Sequence, residues 1–142
     1  MTESDAQKEI DTGPGEAYQS FYAPAMFIPR GKDLVTRADP KPGDRVLDLA
    51  CGTGVVSRLA AERVVPSGKV TGLDIDPGFL AVARSIPPAS GGTADFHEGS
   101  ALEMPFEDGS FDLVLCQQGL QFFHGRPPRS RTPRGARRAC PT

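Results

Sequence analysis

The sequence predicts an α/β protein: a Rossmann-like parallel sheet with flanking helices, incomplete, with about four strands present. Three observations predict it. Short runs rich in Val and Leu alternate with amphipathic stretches, the pattern of right-handed βαβ crossovers. A glycine loop, Cys51-Gly-Thr-Gly54, directly follows the first run. Asp74 closes the second run and Cys116 and Gln117 close the fourth, and ligands of such sheets sit beyond the carboxyl ends of the strands.

The elements follow in order. Residues 1–15 are polar and end in Gly13-Pro-Gly15, which predicts a disordered N-terminal arm. Residues 16–38 carry apolar side chains at helical spacings, among them Ala17, Phe21, Tyr22, Leu34 and Val35. Pro24 and Pro29 interrupt them, so two short helices around a break are expected. Residues 39–44, Asp-Pro-Lys-Pro-Gly-Asp, form a turn by composition. Arg45–Leu49 is the first strand, and Val55, Val56, Leu59 and Ala60 mark the inward stripe of a helix. After the Ser67-Gly68 turn, Lys69–Asp74 is the second strand. Asp76 then caps a helix with Pro77 at its first position, and Pro87-Pro88 ends it. Ala94–Glu98 is a weak third strand and 111–116 a strong fourth, with Leu120, Phe122 and Phe123 opening a further helix.

The length of 142 residues suits about one domain. Hydrophobic residues at 38% and charged residues at 24% predict a soluble globular chain. No apolar run approaches the roughly 20 residues of a membrane span, and the polar start predicts no secretory signal. Three cysteines, Cys51, Cys116 and Cys140, lack paired spacing. Neither a disulfide framework nor a zinc site is expected, and a cytoplasmic location fits.

The net charge of -2 conceals an asymmetry. Residues 1–125 hold 10 Lys and Arg against 18 Asp and Glu, whereas 126–142 hold six Arg and no acid. Residues 125–142 lack Leu, Ile, Val and Phe, predicting a disordered Arg/Pro-rich tail. Its residue types have GC-rich codons, consistent with a frameshift near codon 124. An arginine arm for nucleic acid or anionic lipid is the competing reading. Alternating Arg and Pro leave no helix to dock and no aromatic for stacking, so nucleic acid is not the expected partner.

The chemistry centres on Asp48-Leu-Ala-Cys-Gly-Thr-Gly54. Gly52 and Gly54 permit a sharp strand-to-helix turn and close approach of a ligand to the main chain. The following helix offers free N–H groups and partial positive charge. A Gly-x-Gly turn without a ligand is the bland alternative. Asp48 discriminates: a carboxylate there repels a pyrophosphate and suits a cationic group such as an amino group. The dinucleotide fingerprint also requires a third Gly or Ala where this chain has Ser57. Asp74 stands where a carboxylate accepts hydrogen bonds from ribose hydroxyls, with a merely solvated acid as its alternative.

These segments, with residues 70–76 (Val-Thr-Gly-Leu-Asp-Ile-Asp), residues 104–112 (Met-Pro-Phe-Glu-Asp-Gly-Ser-Phe-Asp) and residues 113–118 (Leu-Val-Leu-Cys-Gln-Gln), resemble class I S-adenosylmethionine-dependent methyltransferases. Within that class the chain is similar to the small-molecule type 11 group related to ubiquinone/menaquinone C-methyltransferases. The resemblance covers residues 16–124 and implies S-adenosyl-L-methionine as cofactor and a small molecule as methyl acceptor. It implies that Asp48 contacts the methionine amino group and that Ala50, Cys51, Gly52 and Gly54 line the amino-acid end. Asp74 would bind the ribose, Ile75 would pack on adenine, and Gln117 would lie under the sulfonium. Ser100 and Ala101 fall where the family has Asp-Ala, so Ser100 implies a weaker contact to the adenine amino group.

Methyl transfer asks chiefly for alignment and exclusion of water. His97 and His124 are not assigned as bases, and no catalytic residue is named. Tyr18 and Tyr22 are expected to pack in the core rather than cover the cofactor. The family's later strands are absent, which implies an unpaired apolar edge on the fourth strand that invites oligomeric pairing. A marginally stable product of weak or no activity follows. A non-catalytic cofactor-binding remnant is the alternative function, and an NAD(P) oxidoreductase, disfavoured by Asp48, the third.

Overall fold

The computed structural model describes residues 10–89, 91–101, 103–117 and 136–139. Five parallel strands form one sheet in the order β3-β2-β1-β4-β5: β1 Arg45–Leu49, β2 Lys69–Asp74, β3 Ala94–Glu98, β4 Leu113–Leu115 and β5 Arg137–Ala139. The helices are α1 Gly13–Ala17, α2 Ile28–Ala38, α3 Val55–Val64 and α4 Pro77–Ser85, with a π-helix, Tyr18–Phe27, joining α1 to α2. The expected parallel sheet with flanking helices is thus present. The helix expected to open at Leu120 lies outside the described residues.

Alternation along β1 sorts the core. Val46 packs with Leu34, Val35, Val56, Ala60 and Val64 from α2 and α3. Leu47 and Leu49 point the other way, onto Leu73, Phe111, Val114 and Cys116. Leu47, Leu73, Leu113 and Leu115 are at most 1% exposed, each contributing about 1.5–3 kcal/mol through its buried area. Asp76 caps α4 as expected, its Oδ1 accepting from the Gly78 and Phe79 N–H groups at 2.8 and 3.2 Å.

Three expectations are corrected. Of the arm expected over 1–15, residues 1–9 lie outside the described residues; the chain is helical from Gly13, with Pro14 in the first turn of α1 and Gly15 packed against Gly78 and Val82 of α4. The break expected in 16–38 is a change of helical register instead. Pro24 lies within the π-helix and Pro29 in the first turn of α2, where a missing N–H costs little. The wider π turn absorbs the discontinuity without ending the helix.

The third correction concerns the tail, of which residues 125–135 and 140–142 lie outside the described residues; the four strands expected are present as β1–β4. Residues 137–139 form a fifth strand, paired Leu113↔Arg137, Val114↔Arg138 and Leu115↔Ala139. The edge of β4 is therefore covered, which removes the ground for oligomeric pairing through it. Main-chain pairing needs no apolar side chain, so composition could not exclude it. Arg137 lies at the amino ends of the strands, where its Nη2 meets Asp44 Oδ2 at 2.8 Å, and Ala139 packs on the core.

Candidate functional site

β1 delivers Asp48 and Leu49 to the carboxyl rim, and the chain turns there at once. Ala50, Gly52 and Gly54 have φ of 51°, 58° and 84°, the left-handed conformations that redirect a strand into α3. Cys51 N–H donates to the Leu73 carbonyl at 3.1 Å and Gly54 N–H to the Cys51 carbonyl at 3.0 Å. Gly52 N–H donates to Asp74 Oδ2 at 2.9 Å. The two glycines serve different ends. A Cβ on Gly54 would lie 2.8 Å from Phe96 Cζ, whereas one on Gly52 would meet nothing nearer than Phe79 Cδ1 at 4.0 Å. Gly54 allows packing; Gly52 leaves main chain open to a ligand.

Asp48 is 2% exposed. The Ser57 hydroxyl donates to its Oδ2 at 2.7 Å, and this bond favours the carboxylate. Burial dominates, with help from the Asp74 charge, and pushes the carboxyl up to about 7. Asp74 lies at the rim itself. Its Oδ1 accepts from Asp76 N–H at 2.9 Å and its Oδ2 from Gly52 N–H. A carboxylate has about four lone-pair sites, so two remain for hydroxyls. Ile75, next in sequence, is 70% exposed, an apolar surface beside those two sites.

The π-helix roofs this rim. Tyr18 stacks on Phe27 at 4.8 Å and meets Phe79 edge-on at 5.3 Å. Burial, then the charges of Asp48 and Asp74, push its phenol up to about 12, so it stays a neutral donor. Gln19 Oε1 accepts from Thr53 Oγ1 at 2.6 Å and from Arg58 Nη2 at 3.4 Å. Gln117, just past β4, donates from Nε2 to the Phe27 carbonyl at 3.4 Å. Tyr18 is half-buried and covers the rim, while Tyr22 is 56% exposed. The expected core role therefore fails for Tyr22, because the π register turns it outward.

The structure brings Asp48, Ala50, Gly52, Gly54, Asp74 and Ile75 together, with Gln117 tied to the roof. Two other expected residues turn their side chains away. Cys51 packs with Leu80, Ala83 and Phe96, its thiol pushed up by burial, so only its main chain belongs to the loop. Ala101 is 6% exposed among Leu47, Leu73 and Phe111. Ser100 precedes it, half-buried, its carbonyl accepting from Glu103 N–H at 3.1 Å. Sequence reasoning missed Ser57 as the partner of Asp48, and missed Gln19 and Arg58. A hydroxyl inside the apolar start of α3 was the available signal for Ser57.

The family model of the methyltransferase domain matches residues 46–140. The chain belongs to this methyltransferase family. The demethylmenaquinone methyltransferase of Thermus thermophilus is 40% identical over 104 residues, which cover 73% of this chain and 46% of that protein. The ubiquinone/menaquinone biosynthesis C-methyltransferase UbiE of Xanthomonas oryzae is 46% identical over 90 residues, 62% of this chain and 36% of that one. The chain thus spans less than half the length of these curated relatives. A solved structure from Methanococcus maripaludis shares the fold, with a TM-score of 0.60 over 86% of this chain and 57% of that one at 17% identity.

S-adenosyl-L-methionine is the methyl donor of this class, and the residues present fit it. Asp74 has spare acceptor sites, Ile75 offers an apolar face, and Gly52 leaves its main chain open. Among the described residues no cluster of ligating side chains could hold a metal ion, and no helix is long and apolar enough to cross a membrane.

Proposed function

We propose that this chain carries the donor-binding part of an S-adenosyl-L-methionine-dependent methyltransferase that acts on a small molecule. The observation that carries the reading is Asp74. Its two oxygens are each fixed by a loop N–H, so its remaining lone pairs are aimed and rigid, as recognition of a vicinal diol requires. Asp74 binds the ribose hydroxyls, Ile75 packs on the adenine, and Ser100 lies near its edge. Asp48 attracts the methionine amino group through the loop of Ala50, Cys51, Gly52 and Gly54. Gln117 and Tyr18 flank the centre of the ligand. When bound, the donor supplies a methyl group already activated on a sulfonium.

The protein's share of the chemistry is then alignment and exclusion of water. The roof of Tyr18 and Phe27 does the second. A small-molecule acceptor is supported by the quinone methyltransferases among the relatives. A cytoplasmic location is supported by Cys51, a buried free thiol. A non-catalytic binding remnant is the alternative reading.

Calorimetric titration with S-adenosylhomocysteine, S-adenosylmethionine and NAD tests the binding reading. Binding of the first two, weakened about tenfold or more by Asp74→Ala, is expected. Binding of NAD alone overturns it. Turnover of S-adenosylmethionine with a demethylated quinone separates the enzyme from the remnant.

A further inference from the structure

β3 lies at a free edge of the sheet: among the described residues it pairs with β2 alone. Two bonds fix which of its main-chain groups face outward. Val70 N–H donates to the Thr93 carbonyl at 3.0 Å, and Gly99 N–H donates to the Asp74 carbonyl at 2.9 Å, so the odd-numbered residues turn toward β2. Alternation then points the N–H and C=O groups of Ala94, Phe96 and Glu98 away from the sheet. Those of Ala94 and Phe96 open onto a groove of about 640 Å³ between β3 and the end of α4, walled by Pro87 and Pro88. Such an edge is a template for another strand.

The sequence of β3 is complementary to itself. Antiparallel pairing about Phe96 sets Ala94 opposite Glu98 and Asp95 opposite His97, twice over by symmetry. Because Phe96 turns its main chain outward, it forms the hydrogen-bonded pair at the centre. Asp95 and His97 then fall at the positions where side chains approach closest, about 4.5 Å between Cα atoms. An acid thus faces a base on both sides of the axis. His97 is held edge-on against Phe106, and Asp95 also meets Lys69 of β2. The occupant that matches this edge is a second copy of the chain.

One side chain stands in the way. Arg84, in the last turn of α4, donates from Nη2 to the Phe96 carbonyl at 2.9 Å. Among the described residues it has no carboxylate partner, although Arg37, Arg45, Arg63 and Arg137 each pair with an aspartate. Its Nη2 stands where the partner's own main-chain donor would have to stand, so one guanidinium per copy takes up both central bonds of the pair. Pairing would also bring two like charges together across the axis, which is unfavourable. We propose that Arg84 guards this edge and keeps β3 from pairing with a second copy of the chain.

The test compares the full chain with Arg84→Met, which keeps an apolar stem, and with Arg84→Met combined with Ala94→Pro. Sedimentation velocity over a wide range of concentration reads the association. Arg84→Met is expected to form a discrete dimer, associating about tenfold or more tightly than wild type. Amide hydrogen exchange at Phe96 is expected to slow in that dimer relative to wild type, because the amide gains a partner across the axis. Ala94→Pro removes an outward N–H without touching the ladder to β2, and is expected to return sedimentation to that of the wild type. An Arg84→Met chain no more associated than wild type overturns the proposal. So does association that leaves the Phe96 amide unprotected, or association undiminished by Ala94→Pro. Exchange at Phe96 is read on Arg84→Met alone, and decides the matter if the proline variant does not fold.

Discussion

The two halves of the sheet, a first end built on β1 and β2 with β3 beyond and a second of β4 and β5, are built by different means. At β1 and β2 the rim is written locally: a strand, three left-handed residues and a helix follow without a gap, and Asp74 braces the loop from the next strand. At β4 and β5 the pairing is made by main chain across a long interval, and three residues of poor strand composition suffice. The first end carries chemistry because each of its groups is fixed by several neighbours. The second end carries continuity of the sheet, with an exposed ion pair at its corner.

Substitutions can break this contrast. The largest expected effect is at the first end's core, where Leu47→Ala leaves a cavity and lowers stability by about 2–5 kcal/mol in urea titration. Gly54→Ala comes next. It combines a left-handed backbone with a Cβ against Phe96, and a loss of about 2–3 kcal/mol is expected in the same assay. At the other end, Arg137→Ala removes a solvent-screened pair with Asp44 and is expected to cost less than about 1 kcal/mol. If Arg137→Ala rivals Gly54→Ala, the account of the two ends fails.

Asp48 sharpens the contrast through pH. Its carboxyl is raised in the folded state from about 4 in the unfolded chain to about 7. The folded state therefore binds more protons between these values. The contribution of Asp48 to stability is highest below the lower value and is lost as pH rises through the upper one. Melting of wild type against Asp48→Asn is expected to show a difference that turns against wild type between about pH 4 and 7, as buffers spaced across that window would record. A ligand ammonium favours the ionised carboxylate, so donor affinity is expected to rise across the same range, with proton release visible when the titration is repeated in buffers of different ionisation enthalpy. Affinity that falls with pH argues against Asp48 as the group that attracts the amino end.

Much of the first end was legible in the sequence. The Val and Leu alternation of β1 and β2, the glycines after Leu49 and the Asp76-Pro77 start of α4 are local signals, and each element formed where its pattern lies. The placement of Asp74 and Gly52 at the carboxyl ends of their strands was legible for the same reason, since strand ends and tight turns are set by neighbours in sequence. The bond from Thr53 to Gln19 joins residues 34 apart, and no periodicity encodes it. Pro24 reads as a helix breaker in any scheme based on the α register, so the π-helix was hidden. β5 was hidden because a backbone ladder leaves no mark in side chains.

The π-helix has one consequence for measurement. It holds Tyr18 and Tyr22, which are the two tyrosines of a chain without tryptophan. The near-ultraviolet emission of the whole protein therefore comes from a single segment, and the two emitters sit unequally, Tyr18 over the rim and Tyr22 facing water. With Tyr22→Phe, which silences the outward ring, the remaining light belongs to the roof of the site alone, a built-in optical gauge of whether that roof is shut.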